Sequence, residues 1–330
     1  MKKINFLLIL VLVCLVVTTP SHAVIKKLAQ TGLKFLSVDV GTRAAAMGGA
    51  YTMVGKDASA MFYNPAGLAH LSADYQVFVA NTQWIADISY NAGAVAANLG
   101  NWGVVGLSII YADYGNDILG TRVAANEAGF EDTGVLDVGA YAIGVSFARQ
   151  ISNKFSIGGQ IKFAAQHLGS SVIDSKGTTH NNKVSGLAYD FGTMFYPGFY
   201  SFRMGMFIRN FSPQFKYEKE AFQLPLTFSI GFAMDVLDLL NEEHSNSLLI
   251  SVDALHPRDY TERIHLGAEY VLMDMIALRA GYKFNYDEEG LTAGIGFNSN
   301  LGGLDVGIGY SFSDFGAFDS VNRISFDLAF

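Results

Sequence analysis

The sequence predicts an all-β protein: a transmembrane antiparallel β-barrel of about fourteen strands, with an N-terminal hatch or plug in its lumen. Three observations predict this fold. Apolar and polar residues alternate in segment after segment, for example from Leu226 to Asp235. Half of the residues are hydrophobic, yet no uncharged apolar run after Ala23 approaches the length of a membrane helix. The chain also ends on an alternating segment whose last residue, Phe330, is aromatic.

Residues 1–23 are predicted to be a signal peptide. Lys2 and Lys3 precede an apolar run, and Ser21 and Ala23 provide the small residues that a signal peptidase reads. Cys14, the only cysteine, lies in this run and no small residue precedes it, so we expect neither a lipid anchor nor thiol chemistry. The charge balance of 22 basic against 30 acidic residues argues against nucleic acid as a partner.

Residues 24–73 are predicted to form the hatch in the barrel lumen. The stretch from Asp39 to Leu71 does not alternate, and its many alanines, glycines and serines allow close approach of backbones. In the Asn-Pro-Ala-Gly sequence that begins at Asn64, the asparagine can cap a short helical turn, with Pro65 at its first position and Gly67 closing it. An ion pair from Arg43 to a carboxylate of the wall is also expected. The residues singled out in this hatch motif are Arg43, Gly48, Gly49, Asn64, Pro65 and Gly67.

Residues 74–330 are predicted to form the barrel. The alternating segments begin near Tyr75, Ile88, Val104, Val135, Phe155, Val184, Phe202, Leu226, Leu248, Ile264, Ile276, Leu291, Leu304 and Val321. Long connections such as 113–134 alternate with short ones such as 100–101, as extracellular loops and periplasmic turns do. An even number of strands places both termini in the periplasm. The connection 237–246 is long for a periplasmic turn, and a short helix is expected there.

The same alternation fits a soluble barrel with its apolar face inward, but two further patterns favour a membrane barrel. The polar faces are rich in glycine and carry few charges, and aromatic residues cluster near strand ends, as from Tyr282 to Tyr286. The charges on the polar faces are mixed in sign, which predicts a self-paired lumen wall. These are Lys162, Arg203, Arg209, Arg279, Lys283, Asp190, Asp235, Asp253, Glu269 and Asp305.

The last strand resembles the sorting signal of bacterial outer-membrane barrels. Its alternating apolar residues are Ile324, Phe326, Leu328 and Phe330. This pattern predicts outer-membrane lipid and the barrel assembly machinery as partners.

No motif predicts an enzyme, a cofactor or a metal site. The glycine clusters lack the spacing of a nucleotide-binding loop, and the histidines lack metal-ligand spacing. His256 lies near Asp253 and Asp259, but a loop after a strand is the favoured interpretation over an Asp-His pair.

The stretch VGTRAAAMGGAY…DASAMFYNPAGLA resembles the N-terminal motif of the PorV/PorQ family of outer-membrane proteins, and the ending YSFSDFGAFDSVNRISFDLAF is similar to that of the same family. This family is related to the FadL-type channels, so the resemblance implies a fourteen-stranded FadL-like barrel with an N-terminal hatch. It implies a non-enzymatic protein that binds or shuttles cargo for a type IX-like secretion system together with secretion-system components. The alternative is a FadL-type channel for long-chain fatty acids or other hydrophobic small molecules. Residues 124–130, in the longest loop, are the outside-facing candidate for either contact.

Overall fold

The computed structural model describes residues 31–115, 118–172, 178–217, 219–240 and 246–330. The predicted signal peptide and residues 24–30 of the predicted hatch lie outside these ranges. None of the helices in the described ranges is long and apolar enough to cross a membrane.

Eighteen β-strands are present in the described part of the chain. They are β1 (Tyr75–Gln83), β2 (Ser89–Asn98), β3 (Val104–Asp113), β4 (Leu119–Val123), β5 (Phe130–Val135), β6 (Val138–Ser152), β7 (Phe155–Val172), β8 (Thr179–Phe195), β9 (Arg203–Phe211), β10 (Phe215–Lys216), β11 (Ala221–Phe222), β12 (Thr227–Asp235), β13 (Asn246–Pro257), β14 (Arg263–Leu272), β15 (Ile276–Phe284), β16 (Leu291–Leu301), β17 (Leu304–Ser313) and β18 (Val321–Ala329).

Fourteen of these strands form one closed antiparallel barrel, which confirms the predicted fold class. Each barrel strand pairs with its neighbours along the chain, and β1 pairs with β18 to close the wall. The other four strands form two hairpins, β4–β5 and β10–β11, inside connections that the sequence had suggested were plain loops. The predicted strand starts fall at or near the observed ones. The largest difference is at β8, which begins at Thr179 because it extends together with the 18-residue β7.

The connections differ in length between the two ends of the barrel. We call the end that carries both hairpins the long-loop end, and the other the short-turn end. The short-turn end includes the two-residue turns β6–β7 and β16–β17, and the expected short helix is present there as a 3₁₀ helix, Leu237–Leu240. Thr31, the first described residue, bridges to Gln223 at the long-loop end. Phe330 pairs with Tyr75 at the short-turn end.

Side chains on the two faces of the wall are sorted as the alternation predicts. On β18, Ile324 is 60% exposed whereas its neighbours Arg323 and Ser325 are 1% and 3% exposed. The outer face of β3 similarly exposes Leu107 and Ile109. Because these large apolar side chains surround the barrel while polar ones line its interior, the wall suits a bilayer rather than water.

The N-terminal segment (residues 31–71) packs against the inner side of the wall. It contains the helix α1 (Thr42–Ala46) and three 3₁₀ helices, Lys34–Ser37, Ala58–Phe62 and Pro65–His70. The helix α1 contacts β15 to β18, and Pro65–His70 contacts β6, β7 and β8 on the opposite side of the barrel. The apolar residues of the N-terminal segment supply most of the large side chains that are fully buried, including Phe35, Met47, Met53, Met61 and Leu68.

Candidate functional site inside the barrel

Asn64 both caps a helical turn and fixes that turn to the wall. Its Oδ1 accepts a hydrogen bond from the backbone N–H of Ala66 at 3.1 Å, with Pro65 at the first helical position as predicted. Its Nδ2 donates to the carbonyls of Thr52 at 2.8 Å and Thr193 at 3.2 Å. One side chain therefore joins two parts of the segment to β8.

The amide of Gly67 donates to the carbonyl of Asn64 at 3.0 Å and so closes the first turn, and the 3₁₀ helix continues to His70. Gly67 also has a steric requirement. A Cβ at Gly67 would lie 2.1 Å from the carbonyl oxygen of Gly55, so only glycine permits the contact between these two parts of the segment.

Gly48 and Gly49 allow the chain after α1 to lie directly on the wall. Both have positive φ, 65° and 75°, a conformation that favours glycine. A Cβ at Gly48 would lie 2.9 Å from both the carbonyl oxygen of Leu266 and the amide nitrogen of Tyr282. Gly281, on the facing strand, has the same requirement, since its Cβ would meet the backbone nitrogen of Gly48 at 2.2 Å.

Arg43 forms the expected ion pair with a wall carboxylate, and its partner is Glu269 on β14. Its Nε and Nη2 donate to the two carboxylate oxygens at 2.8 and 2.6 Å. Arg279 on β15 donates to the same carboxylate at 2.6 Å. Asp57 of the segment lies 3.7 Å from the Arg43 guanidinium. The segment and two strands thus share one charged network around the buried Glu269.

A second network lies further towards the long-loop end. Lys283 on β15 binds Asp39 at 2.9 Å and Glu289 at 2.5 Å. The buried Arg323 donates from Nε to the backbone carbonyl of Asp39 at 2.8 Å. Asp39 of the segment is therefore held by β15 and by β18, and Glu289 in the connection after β15 binds the same lysine.

The start of the described chain is anchored to the β13–β14 connection. Lys34 and Thr31 donate to Oδ2 of Asp259 at 2.7 and 2.6 Å. Burial by itself would raise the pKa of Asp259, but these hydrogen bonds and the Lys34 charge hold the pKa below its usual range. The carboxylate is accordingly ionised at neutral pH.

His70 ends the segment at the short-turn end. Its ring nitrogens lie 3.2 Å from the Ser156 hydroxyl and 2.9 Å from the Gln150 amide. Burial, followed by the nearby charges of Lys56 and Arg203, lowers the pKa of His70 to about 4. The imidazole is therefore neutral at neutral pH.

Some of the predicted wall charges pair with each other inside the barrel. Lys162 and Asp190, both buried, lie 2.8 Å apart. Asp253 accepts the backbone N–H groups of Tyr51 and Thr52 at 2.9 and 2.8 Å. Asp305 differs, since it lies exposed beside the β16–β17 turn.

The remaining sequence candidates lie apart from this lumen. Ile324 and Phe326 face outward, and the Phe330 ring stacks on Tyr75 at 5.6 Å beside the β1–β18 seam. His256 is exposed and lies 3.3 Å from Glu262 rather than beside either aspartate. Within the described residues, no three His, Cys, Asp or Glu side chains are grouped so that they could hold a metal ion.

Two cavities flank the N-terminal segment. The upper cavity, of about 300 Å³, lies towards the long-loop end. The lower cavity, of about 230 Å³, is lined by Arg43, Asp57, Glu269, Arg279 and Asp327 among others. Charged side chains line both cavities, and the lining of the upper cavity also includes apolar and aromatic residues such as Phe207 and Leu255. The sequence analysis missed several residues of the upper cavity. Tyr260, Arg263 and Tyr286 lie in or beside loops, where no periodicity marks a residue as inward-facing.

Comparison with known proteins identifies the family and the fold. The family model described as "Type IX secretion system protein PorV" matches residues 22–255. No curated protein sequence matches the chain.

Among solved structures, the Ralstonia pickettii toluene transporter TbuX is similar, with a TM-score of 0.56 and 13% identity over 88% of this chain and 98% of that one. The CymD monoaromatic hydrocarbon channel has the same TM-score and identity over 89% and 98%. A Pseudomonas aeruginosa FadL homologue has a TM-score of 0.54 and 11% identity over 88% and 98%. At these identities the likeness establishes a shared FadL-like barrel fold and nothing more.

Proposed function

The chain belongs to the PorV family of type IX secretion system proteins, and we propose that it is a non-enzymatic outer-membrane component that binds or shuttles cargo for such a system. The observation that carries this proposal is the family match, which spans more than half of the chain. The closed fourteen-stranded barrel with an apolar outer face supports a location in the outer membrane.

The packing of the lumen favours a docking protein over an open channel. The N-terminal segment is held to β14 and β15 through Arg43 and Lys283, and to β8 through Asn64. In this proposal the N-terminal segment acts as a plug that stays in place while partners bind outside the barrel. Opening a continuous path would require breaking several buried, charge-assisted contacts, each costly to leave unpaired.

The β4–β5 hairpin at the long-loop end is the proposed contact for cargo or secretion partners. Val123 is 93% exposed and Phe130 is 49% exposed, and the two are cross-strand neighbours. An isolated two-stranded hairpin is only marginally stable in water, so a partner would stabilise it. The long-loop end is extracellular and the C-terminus periplasmic in this orientation.

Uptake of a hydrophobic molecule, as in FadL-type channels, is the alternative function. The shared barrel fold is what brings it into consideration. The charged side chains in both cavities disfavour it, because an alkyl chain beside them would strip water from ionised groups without replacing their hydrogen bonds.

A pull-down from native outer membranes in mild detergent tests the proposal. Tagged protein is isolated, and both proteins and small molecules in the eluate are identified by mass spectrometry. Stoichiometric secretion components or exported cargo are expected. A purified barrel that carries only a fatty or aromatic molecule would favour the channel instead, and so would a deletion strain that still exports all its cargo.

Site-specific photo-crosslinking locates the contact. A photoreactive residue at Val123 is expected to capture a secretion partner or cargo. The same residue at Gly302, in the two-residue β16–β17 turn at the opposite end, is the matched control and is expected to capture neither. Capture at Gly302 alone would contradict the proposed contact surface.

A further inference from the structure

The upper cavity contains two arginines whose charge no carboxylate neutralises. It lies between the N-terminal segment and strands β9 and β12 to β15, and the connections at the long-loop end form its rim. Arg209 and Arg263 both line it, and in the described part of the chain neither forms an ion pair. The Nε of each is buried without a hydrogen-bond partner. Buried donors of this kind are uncommon in native proteins and call for a partner.

Two tyrosine rings hold the Arg263 guanidinium in position. Its Cζ lies 4.0 Å from the ring centroid of Tyr260 and 3.7 Å from that of Tyr286. Contacts over ring faces occupy the flat sides of the guanidinium and leave its N–H edge available. The Tyr286 hydroxyl lies 2.7 Å from Nε2 of His265, which helps fix that ring. The arginine is therefore preorganised to donate in one direction.

Arg209 is held by the N-terminal segment. Its Nη1 donates to the backbone carbonyl of Phe62 at 3.3 Å, which anchors one edge of the guanidinium on the N-terminal segment. The remaining donors are not used by any carboxylate of the described residues. Two fixed guanidinium groups thus border the same cavity.

Most of the other polar groups of the cavity have partners. Lys34 pairs with Asp259, and Lys283 pairs with Asp39 and Glu289. Asp253 accepts two backbone N–H groups of the segment through Oδ2, whereas its Oδ1 is buried without a partner. The lining as a whole has four basic and four acidic side chains. What Arg209 and Arg263 leave unmatched is therefore a set of buried N–H donors, which calls for a ligand with hydrogen-bond acceptors.

We propose that the upper cavity binds a small hydrophilic carboxylate through Arg263 and Arg209. A volume of about 300 Å³ lies at the lower end for small-molecule sites and suits a compact ligand rather than a long one. Arginine recognises carboxylates through paired N–H donors, a geometry that fixed guanidinium groups provide. The ion pairs in the lining disfavour a long alkyl chain, since they occupy the wall between its apolar residues. This inference does not depend on the proposed secretion role.

Tryptophan fluorescence provides the test. The chain has two tryptophans, and Trp84 lines the cavity whereas Trp102 is 78% exposed at the short-turn end. In the Trp102→Phe protein, Trp84 alone reports binding. Succinate is the probe, its diamide succinamide is the neutral control, and laurate is the long-chain comparison. Succinate is expected to change the Trp84 emission saturably, and succinamide and laurate are not.

Variants assign the effect to the two arginines. In the Trp102→Phe background, Arg263→Gln is expected to weaken succinate binding about tenfold or more, as loss of a charge-assisted contact does. Arg122→Gln, in the exposed β4–β5 hairpin, is the matched control and should bind as before. If Arg263→Gln fails to fold by gel mobility, Arg209→Gln decides the question by the same criterion. Absence of saturable binding, equal binding of succinamide, or an unchanged affinity in the folded variant would overturn the proposal.

Discussion

The guanidinium of Arg43 donates two hydrogen bonds to the carboxylate of Glu269, a residue 226 positions away in the sequence. This contact ties the N-terminal segment to β14, and Arg279 completes it by donating to the same carboxylate. Glu269 is buried, with a side chain only 4% exposed, so its charge depends on these two arginines for compensation.

Replacing Glu269 should therefore cost more than replacing Arg43. Glu269→Gln leaves two guanidinium groups without their carboxylate and is expected to lower the free energy of unfolding by about 3 to 5 kcal/mol. Arg43→Gln leaves the Arg279–Glu269 pair in place and is expected to cost less. Urea titrations of protein refolded into phospholipid vesicles measure both. A larger loss for Arg43→Gln would contradict this assignment of the network.

Gly48→Ala should prevent the segment from seating on the wall. The added Cβ would meet backbone atoms of Leu266 and Tyr282 in a conformation that alanine rarely adopts. Gly302→Ala is the control, since Gly302 has nearly the same φ, 64°, but nothing within 4 Å of its Cβ position. The control is expected to lose about 1 kcal/mol of stability, from backbone strain alone, and Gly48→Ala to lose several times more. Equal losses of stability in the two variants would show that close packing of Gly48 against Leu266 and Tyr282 does not contribute to stability.

Asn64→Asp separates helix capping from attachment to the wall. The carboxylate can still accept from the N–H of Ala66, but it places negative charge against the carbonyls of Thr52 and Thr193. A loss of about 2 to 4 kcal/mol in the free energy of unfolding is expected. Asn126→Asp, which changes an exposed amide bonded to the carbonyl of Phe130, should cost much less. The same vesicle titrations compare the two variants. If Asn64→Asp loses no more free energy of unfolding than Asn126→Asp, the proposed attachment of Asn64 to the wall is wrong.

Stability should fall in mild acid because of His70. Its pKa is lowered from 6.5 to about 4 in the folded protein, so between these values the unfolded chain binds a proton that the folded chain does not. The contribution of His70 to the free energy of unfolding is therefore fully present above about pH 6.5. It decreases as the pH falls towards 4. His70→Gln should flatten the stability profile in this range. A profile unchanged by His70→Gln would refute the assignment.

Phe330→Ala should impair assembly more than stability. The ring stacks on Tyr75 at the β1–β18 seam, so its loss is expected to cost the folded barrel about 1 kcal/mol. Because Phe330 is part of the predicted sorting signal, its loss should also reduce the amount of folded barrel in the outer membrane. Heat-modifiable gel mobility of cell envelopes measures that amount. Phe318→Ala is the control, because Phe318 is also an exposed aromatic residue but lies in the connection between β17 and β18. Equal assembly of the two variants would argue against a sorting role for Phe330.

The sequence alone was enough to predict the number, phase and facing of the barrel strands. Alternation such as that of Ile324 and Phe326 against Arg323 and Ser325 is a local property, because successive side chains of a strand point to opposite faces. The turn at Asn64 and Pro65 was predictable for the same reason, since capping involves neighbours in the chain. By contrast, the close approach of Gly67 to Gly55 was not predictable, because it joins two parts of the segment that are not neighbours in the chain.

The tertiary structure decided which charges meet. Mixed charges on the inner faces could pair in many ways of similar energy, and only the register of the closed barrel aligns Asp253, His265 and Lys283 on adjacent strands. The partners of Arg43 and Asp39 likewise depend on which strands lie opposite the segment once the wall has closed. The upper cavity depends on loops that carry no periodic pattern, so Arg263 between its two tyrosines could be found only in the folded chain.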